Sequence, residues 1–192
     1  MRDAQIKRAT KETDIDIKIN LDGNGKNSIS TGIGFFDHML TALSMHSQID
    51  MDISVRGDLK VDGHHTVEDT GIVLGQAFKS AIGDMKGIAR YGTAFIPMDE
   101  ALSFTSLDIS GRPYLVFNAE FSEERVGEFD TCLTEEFFRA FSTNAGITLH
   151  IKCEYGKNSH HMIEAIFKSV AHALKTAKKL NGNKILSTKG VL

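Results

Sequence analysis

The chain has 192 residues, of which 24% are charged and 41% hydrophobic, and its formal charge is −3. These proportions are those of a globular protein and exclude disorder and fibrous repeats, while the acidic balance argues against a nucleic-acid surface. At roughly 150 residues per domain the length allows one large domain or two small ones, and the unusual feature is eight histidines beside two cysteines and no tryptophan.

The first eleven residues are charged and lack an apolar core, so no signal peptide is read there. No apolar run approaches the roughly 18 residues of a membrane span. Cys132 and Cys153 form no C-x-x-C, which reads as two reduced thiols. A soluble, cytoplasmic protein is expected, with no nucleic-acid or membrane partner.

Thr13–Asp22 alternates polar and apolar residues, so Ile15, Ile17, Ile19 and Leu21 share one face of a strand. Asp22–Gly25 makes a turn that resembles the start of a calcium loop. Asn27 and Ile33, however, stand where that loop needs Gly and Glu, and calcium is rejected. A short strand (Ser28–Ile33), a helix (Phe35–Met45) and an alternating strand (Ile49–Val55) follow. The spacing then predicts a helix over Thr66–Ile82, in which Gly71 and Gly75 lie one turn apart and would let a second backbone approach closely. The middle is strand-rich, with runs Leu102–Ile109 and Tyr114–Phe121 joined by Ser110–Pro113. A helix (Glu135–Asn144), a strand (Thr148–Tyr155) and a long helix (His160–Lys179) come next, the last carrying Ile163, Ile166, Phe167, Val170 and Leu174 as an apolar stripe.

The chain repeats itself. His64-His65-Thr-Val-Glu68 and His160-His161-Met-Ile-Glu164 match at an offset of half the chain, and Phe35-Phe36 matches Phe137-Phe138. A duplicated α+β unit is expected: one domain of two similar halves, about 1–92 and 93–192, each an antiparallel sheet with two helices on one face.

On a helix each histidine of H-H-x-x-E can share a face with the glutamate. The two imidazoles diverge by about 100°, which suits two metals, or one metal inside and one across an interface. Four imidazoles and two carboxylates suit Mn, Fe, Co, Ni or Zn and are poor for Mg or Ca. A lone histidine at a helix start is ordinarily a surface residue; its recurrence as a duplicated pair argues for metal. His38 and His46 are supplementary candidates, and His150 and His172 read as structural. Arg90, Arg112 and Lys189, near glycines and turns, suit anion binding, with Ser187 as a further donor, but taken alone they read as ordinary turn charges and a frayed C-terminus.

Taken with R-A-T-K-E-T (Arg8–Thr13), G-I-G-F-F-D-H-M-L (Gly32–Leu40), D-G-H-H-T-V-E-D (Asp62–Asp69), S-G-R-P-Y (Ser110–Tyr114), N-S-H-H-M-I-E-A (Asn158–Ala165) and the terminal S-T-K-G-V-L, these motifs resemble the imidazoleglycerol-phosphate dehydratase family over essentially the whole chain. The resemblance, to the monofunctional form, implies a hydro-lyase of histidine biosynthesis that converts imidazole glycerol phosphate to imidazole acetol phosphate. It implies a fold like domain 2 of ribosomal protein S5, a ferredoxin-like sandwich of two four-stranded sheets with the helices between them. It also implies two Mn2+ per active site at subunit interfaces of an octahedral 24-subunit homo-oligomer. The implied metal ligands are His38, His64, His65, Glu68, His160, His161 and Glu164, with Glu136 where the family usually has His. Substrate and phosphate contacts map onto Glu12, His46, Arg90, Arg112, Lys168, Ser187 and Lys189, and Ala42 replaces a frequent Gln.

The expected chemistry starts from a substrate ring nitrogen on Mn, which acidifies the ring. The resulting imidazolate expels the hydroxyl, and the neighbouring carbon then loses its proton. Glu12 near the ring and Glu164 near the departing hydroxyl divide the proton transfers, with His38 or His65 beside the second ion. The alternatives are a di-metal hydrolase of a phosphorylated small molecule and a non-catalytic metal-binding protein.

Overall fold

In the computed structural model, which describes residues 2–188, the first half of the chain runs β1 (Asp3–Ala9), β2 (Thr13–Asn20), β3 (Asn27–Ser30), α1 (Gly34–Ser47), β4 (Asp50–Gly57) and α2 (His64–Ile82). The second half repeats that order as β5 (Tyr91–Met98), β6 (Ala101–Ile109), β7 (Tyr114–Asn118), α3 (Leu133–Ala145), β10 (Ile147–Tyr155) and α4 (Ser159–Ala177). A two-stranded ribbon, β8 (Arg125–Val126) and β9 (Phe129–Asp130), is inserted before α3. The strand orders are β1-β2-β4-β3 and β5-β6-β10-β7, the same topology twice.

Both sheets are mixed, which corrects the expectation of antiparallel ones. β3 lies parallel to β4 and β7 parallel to β10, because α1 and α3 are crossovers that carry the chain back before it re-enters the sheet. Leu102–Ile109 and Tyr114–Phe121 are accordingly not a hairpin: β10 pairs with β6 on one side and β7 on the other. β1 was not legible from hydropathy. It is an edge strand whose Arg8 reaches Asp69 of α2 at 2.5 Å.

The strand alternation buries Ile15, Ile17 and Ile19 of β2 and Met51, Ile53 and Val55 of β4 against the helices, while Lys7, Asp16, Asp14 and Arg56 pair on the opposite face. α2 packs on β1 and β2, and α4 on β5 and β6; the helices meet each other as α2 with α3 and α1 with α4. The result is sheet, helices, sheet, with an aromatic centre. Phe137 lies 5.4 Å from Phe167 and 5.3 Å from Phe36, and Phe138 lies 4.8 Å from Phe167. Each such buried ring contributes on the order of 2–3 kcal/mol.

Helix pairing within the layer is parallel. Phe35, His38 and His46 of α1 meet His160, Glu164 and His172 of α4 in that order. α2 and α3 approach at Gly71 and Gly75, where an added Cβ would stand 2.7 Å from the carbonyl oxygens of Phe137 and Phe141. The close approach expected from the two glycines is thus present. At the other end of this face, Gly63 lies beside the side chains of Ile33 and Leu133. All four helices therefore begin at one end of the molecule, where their dipoles favour anionic groups. No helix among the described residues is long and apolar enough to cross a membrane.

Candidate active site

The duplicated motif opens α2 and α4 in the same way. The side chain of Asp62 accepts the His64 N–H at 2.8 Å, and that of Asn158, at the equivalent position, accepts the His160 N–H at 2.9 Å and the His161 N–H at 3.3 Å. These bonds satisfy orphan donors of the first turn and fix where both histidine pairs emerge.

Three donors converge where α1 meets α4. One ring nitrogen each of His38 and His160 and a Glu164 carboxylate oxygen lie within 4.8 Å of one another, the glutamate buried, His160 partly buried and His38 exposed. Glu164 Oε2 stands 3.3 Å from His160 and 3.6 Å from His38, and its Oε1 stands 2.6 Å from Lys168 Nζ. Burial raises the pKa of this carboxyl. Lys168 and the two imidazoles outweigh that and hold it below the ordinary glutamate value, so it is ionised at neutral pH.

The other histidines lie at the same end in separate groups. His64 sits 3.8 Å from Glu68. His65 Nδ1 is 3.0 Å from Asp58 and 4.0 Å from Glu12, an exposed residue on the β1–β2 turn. His161 Nδ1 is 2.7 Å from Glu100, and its Nε2 is 3.6 Å from Asp99, which caps the β5–β6 turn with a left-handed backbone. Hydrogen bonding to these carboxylates raises the pKa of both His65 and His161. Two backbone N–H groups and His161 draw Glu100 down to about 2. Asp58, Asp99 and Glu100 were not found by sequence reasoning: Asp58 lies in the loop before its histidine, but Asp99 and Glu100 lie about 60 residues from theirs. Glu136 joins none of these groups among the described residues and instead stands 3.7 Å from Arg139.

The anion-binding candidates divide in two. Lys168 belongs to the Glu164 cluster, and His46 packs against His172, Nδ1 to Nε2 at 3.3 Å, which gives a residue read as structural a partner in the candidate set. Burial, with His172 and Lys168 nearby, lowers the pKa of His46; burial and Lys175 lower that of His172. Arg90, Arg112 and Ser187 line a cavity of about 1140 Å³ between the β5 entry and the segment 181–188. Arg90, in a left-handed backbone conformation, grips both oxygens of Asp108 and the Leu186 carbonyl, and Asp108 holds its pKa up. Arg112 is mostly exposed, 3.6 Å from the same aspartate. Lys189 lies outside the described residues.

The cavity and the Glu164 cluster are far apart on one chain. Arg90 N–H bonds the carbonyl of Ala177 at the end of α4, thirteen residues beyond Glu164, or about 20 Å at 1.5 Å per residue.

Residues 31–174 match a family described as imidazoleglycerol-phosphate dehydratase. A relative of that name from Acetivibrio thermocellus is 55% identical over 193 residues, covering 100% of this chain and 99% of its own. The crystal structure of the Staphylococcus aureus dehydratase superposes with a TM-score of 0.85 at 47% identity, covering 93% of this chain and 99% of that one. The Pyrococcus furiosus dehydratase, solved in complex with (S)-C348, gives a TM-score of 0.82 at 39% identity, covering 97% and 100%.

Proposed function

The chain belongs to the imidazoleglycerol-phosphate dehydratase family, the hydro-lyases that convert imidazole glycerol phosphate to imidazole acetol phosphate in histidine biosynthesis, and from that premise we propose which of its residues perform the reaction. His38, His160 and Glu164 form one divalent-metal position, with His64 and Glu68 the core of a second, and His65 and His161, each backed by a loop carboxylate, complete such positions on neighbouring chains. Glu136 is proposed as a further ligand of the second position. The donor chemistry of the first fits the group: two imidazoles and an ionised carboxylate suit Mn2+ and its neighbours in the first transition series. Bound there, Mn2+ would supply a Lewis-acid contact that makes the substrate's imidazole ring easier to deprotonate.

The chain's own groups supply the rest. Glu164, ionised and hydrogen-bonded by Lys168, holds a proton acceptor beside the reacting carbons, and Glu12 does so near the ring. His38 and His65 flank these two carboxylates. Arg112, Arg90, Ser187, Lys189, His46 and Lys168 hold the phosphate.

The observation that carries the assembly is the separation along α4. A substrate of roughly 10 Å, at bond lengths near 1.5 Å, cannot bridge Glu164 and the arginine cavity of one chain. Active sites are therefore completed by a second copy, in a homo-oligomer for which we propose the octahedral 24-subunit form. The chain is read as one domain of two similar halves, about 1–92 and 93–192, working in the cytoplasm.

The test is conversion of imidazole glycerol phosphate by Mn-loaded and chelated protein. Formation of imidazole acetol phosphate that falls on chelation and returns with Mn2+ supports the proposal. Release of inorganic phosphate would mark a hydrolase instead, and metal binding without turnover would mark a storage role.

A further inference from the structure

The two histidines of each pair are held in different ways. His64 and His160 turn Nε2 toward the glutamate one turn along their own helix. His65 and His161 present Nδ1 to a carboxylate from a loop: Asp58 at 3.0 Å and 3.2 Å, and Glu100 at 2.7 Å. A neutral imidazole has one N–H. Donated from Nδ1 to a carboxylate, it leaves the Nε2 lone pair open.

We propose that Glu100 is a positioning residue for His161, fixing the Nδ1-protonated tautomer so that Nε2 is available to a divalent cation. The inference rests on the reading of His161 as a metal ligand given above. The second oxygen of Glu100 is already committed: Oε1 accepts the backbone N–H groups of Lys157 at 3.1 Å and Asn158 at 2.8 Å, while Oε2 faces the imidazole. The two oxygens therefore have separate tasks, and the carboxylate cannot turn. The same bonds tie it to Asn158, the residue that caps α4 and sets where His161 emerges.

This arrangement makes Glu100→Gln diagnostic. The two backbone N–H groups require an oxygen at Oε1, so the amide nitrogen must face His161 Nδ1. An amide N–H donates, hence the imidazole must accept at Nδ1 and carry its proton on Nε2, the wrong tautomer for binding. Glu100→Ala removes the orienting group but leaves the tautomer free to adjust. Asp58 differs, because among the described residues no backbone N–H binds its carboxylate. In Asp58→Asn the amide can rotate its oxygen toward His65.

The experiment is titration of metal-free protein with Mn2+, following free aqueous Mn2+ by electron paramagnetic resonance, with unfolding midpoints recorded for each variant. Affinity is expected to fall about 10–100-fold in Glu100→Gln and His161→Ala, less in Glu100→Ala, and least in Asp58→Asn. A role confined to backbone capping predicts the reverse order, since Gln keeps the acceptor and Ala does not; that order, or wild-type affinity in Glu100→Gln, overturns the proposal. Unchanged affinity in His161→Ala overturns the ligand reading together with it, whereas loss in His161→Ala alone overturns only the positioning role. Nitrogen-15 spectra of the metal-free wild type, recorded at alkaline pH where the imidazole is neutral despite the pKa-raising contact with Glu100, give a check that needs no variant: His161 Nε2 should resonate as an unprotonated ring nitrogen with the proton on Nδ1, and the opposite assignment in the neutral ring would be fatal to the idea.

Discussion

Arg90 and Arg112 carry the same charge to the same cavity but stand in different mechanical situations. Arg112 is two-thirds exposed with one aspartate at 3.6 Å, so Arg112→Ala should raise KM for the phosphorylated substrate several-fold with little change in kcat. Arg90 is 10% exposed and fastens Asp108 to the Leu186 carbonyl. Arg90→Ala should also cost about 3 kcal/mol by leaving Asp108 with only the exposed, more distant Arg112, visible as a fall in Tm of about 2–4 °C per kcal/mol. Both arginines entered the candidate set through the family resemblance, since at glycines and turns a lone arginine reads as an ordinary surface charge. Asp108, which couples them, did not, since strand alternation places it on the outward face, where a charge is ordinary. Glu164→Gln should leave the fold intact and lower kcat and kcat/KM together; turnover near the wild-type rate would remove that residue from the chemistry. His46 and His172 give a pH signature. Burial depresses both pKa values, so their neutral forms favour the fold above the unfolded value of 6.5, and that contribution is lost as pH falls through the lowered folded values. The contribution of this pair should therefore fall between about pH 7.5 and pH 5.5, against the opposite trend from His65 and His161. It is read as the Tm of wild type minus that of His172→Gln, which should shrink over that range.

At the scale of elements, the α2–α3 contact is the tightest consequence of two residues. Gly71→Ala or Gly75→Ala would drive a methyl to 2.7 Å from a carbonyl oxygen of α3, and each should cost about 1–3 kcal/mol by denaturant unfolding despite the higher helix propensity of alanine. The corresponding α4 positions are Phe167 and Ala171, so that helix has no glycine at either place, and on α4 His160 and Glu164 meet His38 of α1. Elements with strong periodicity were legible: β2, β4, β10 and the four helices follow from alternation or stripe. β1 was lost because an edge strand of Asp, Gln, Lys and Arg has too few apolar residues to show a period. The parallel pairing of β3 and β7 was lost because sheet order depends on where a crossover returns, which local pattern does not record. The caps repeat like the histidines they precede. Asn158→Ala should cost about 1 kcal/mol and disturb His160 and His161 together.

The whole molecule places its four helix starts, and with them every candidate metal ligand, at one end, and the arginine cavity at the far end of α4. If ions are shared between copies through His65 and His161, removing them should loosen the assembly. Light scattering with and without a chelator should then report a smaller particle in the chelated sample and recovery with Mn2+; a particle of unchanged size would separate assembly from metal. If, as proposed, active sites are completed between copies, the roughly 20 Å between Glu164 and the end of α4 lets damage to the two halves of one catalytic site lie on different chains. Assayed well below KM, where Glu164→Gln and Arg112→Ala are both impaired, the two variants should rescue one another when unfolded and refolded as a mixture, because roughly one quarter of the sites assembled at random would draw both intact residues from complementary chains.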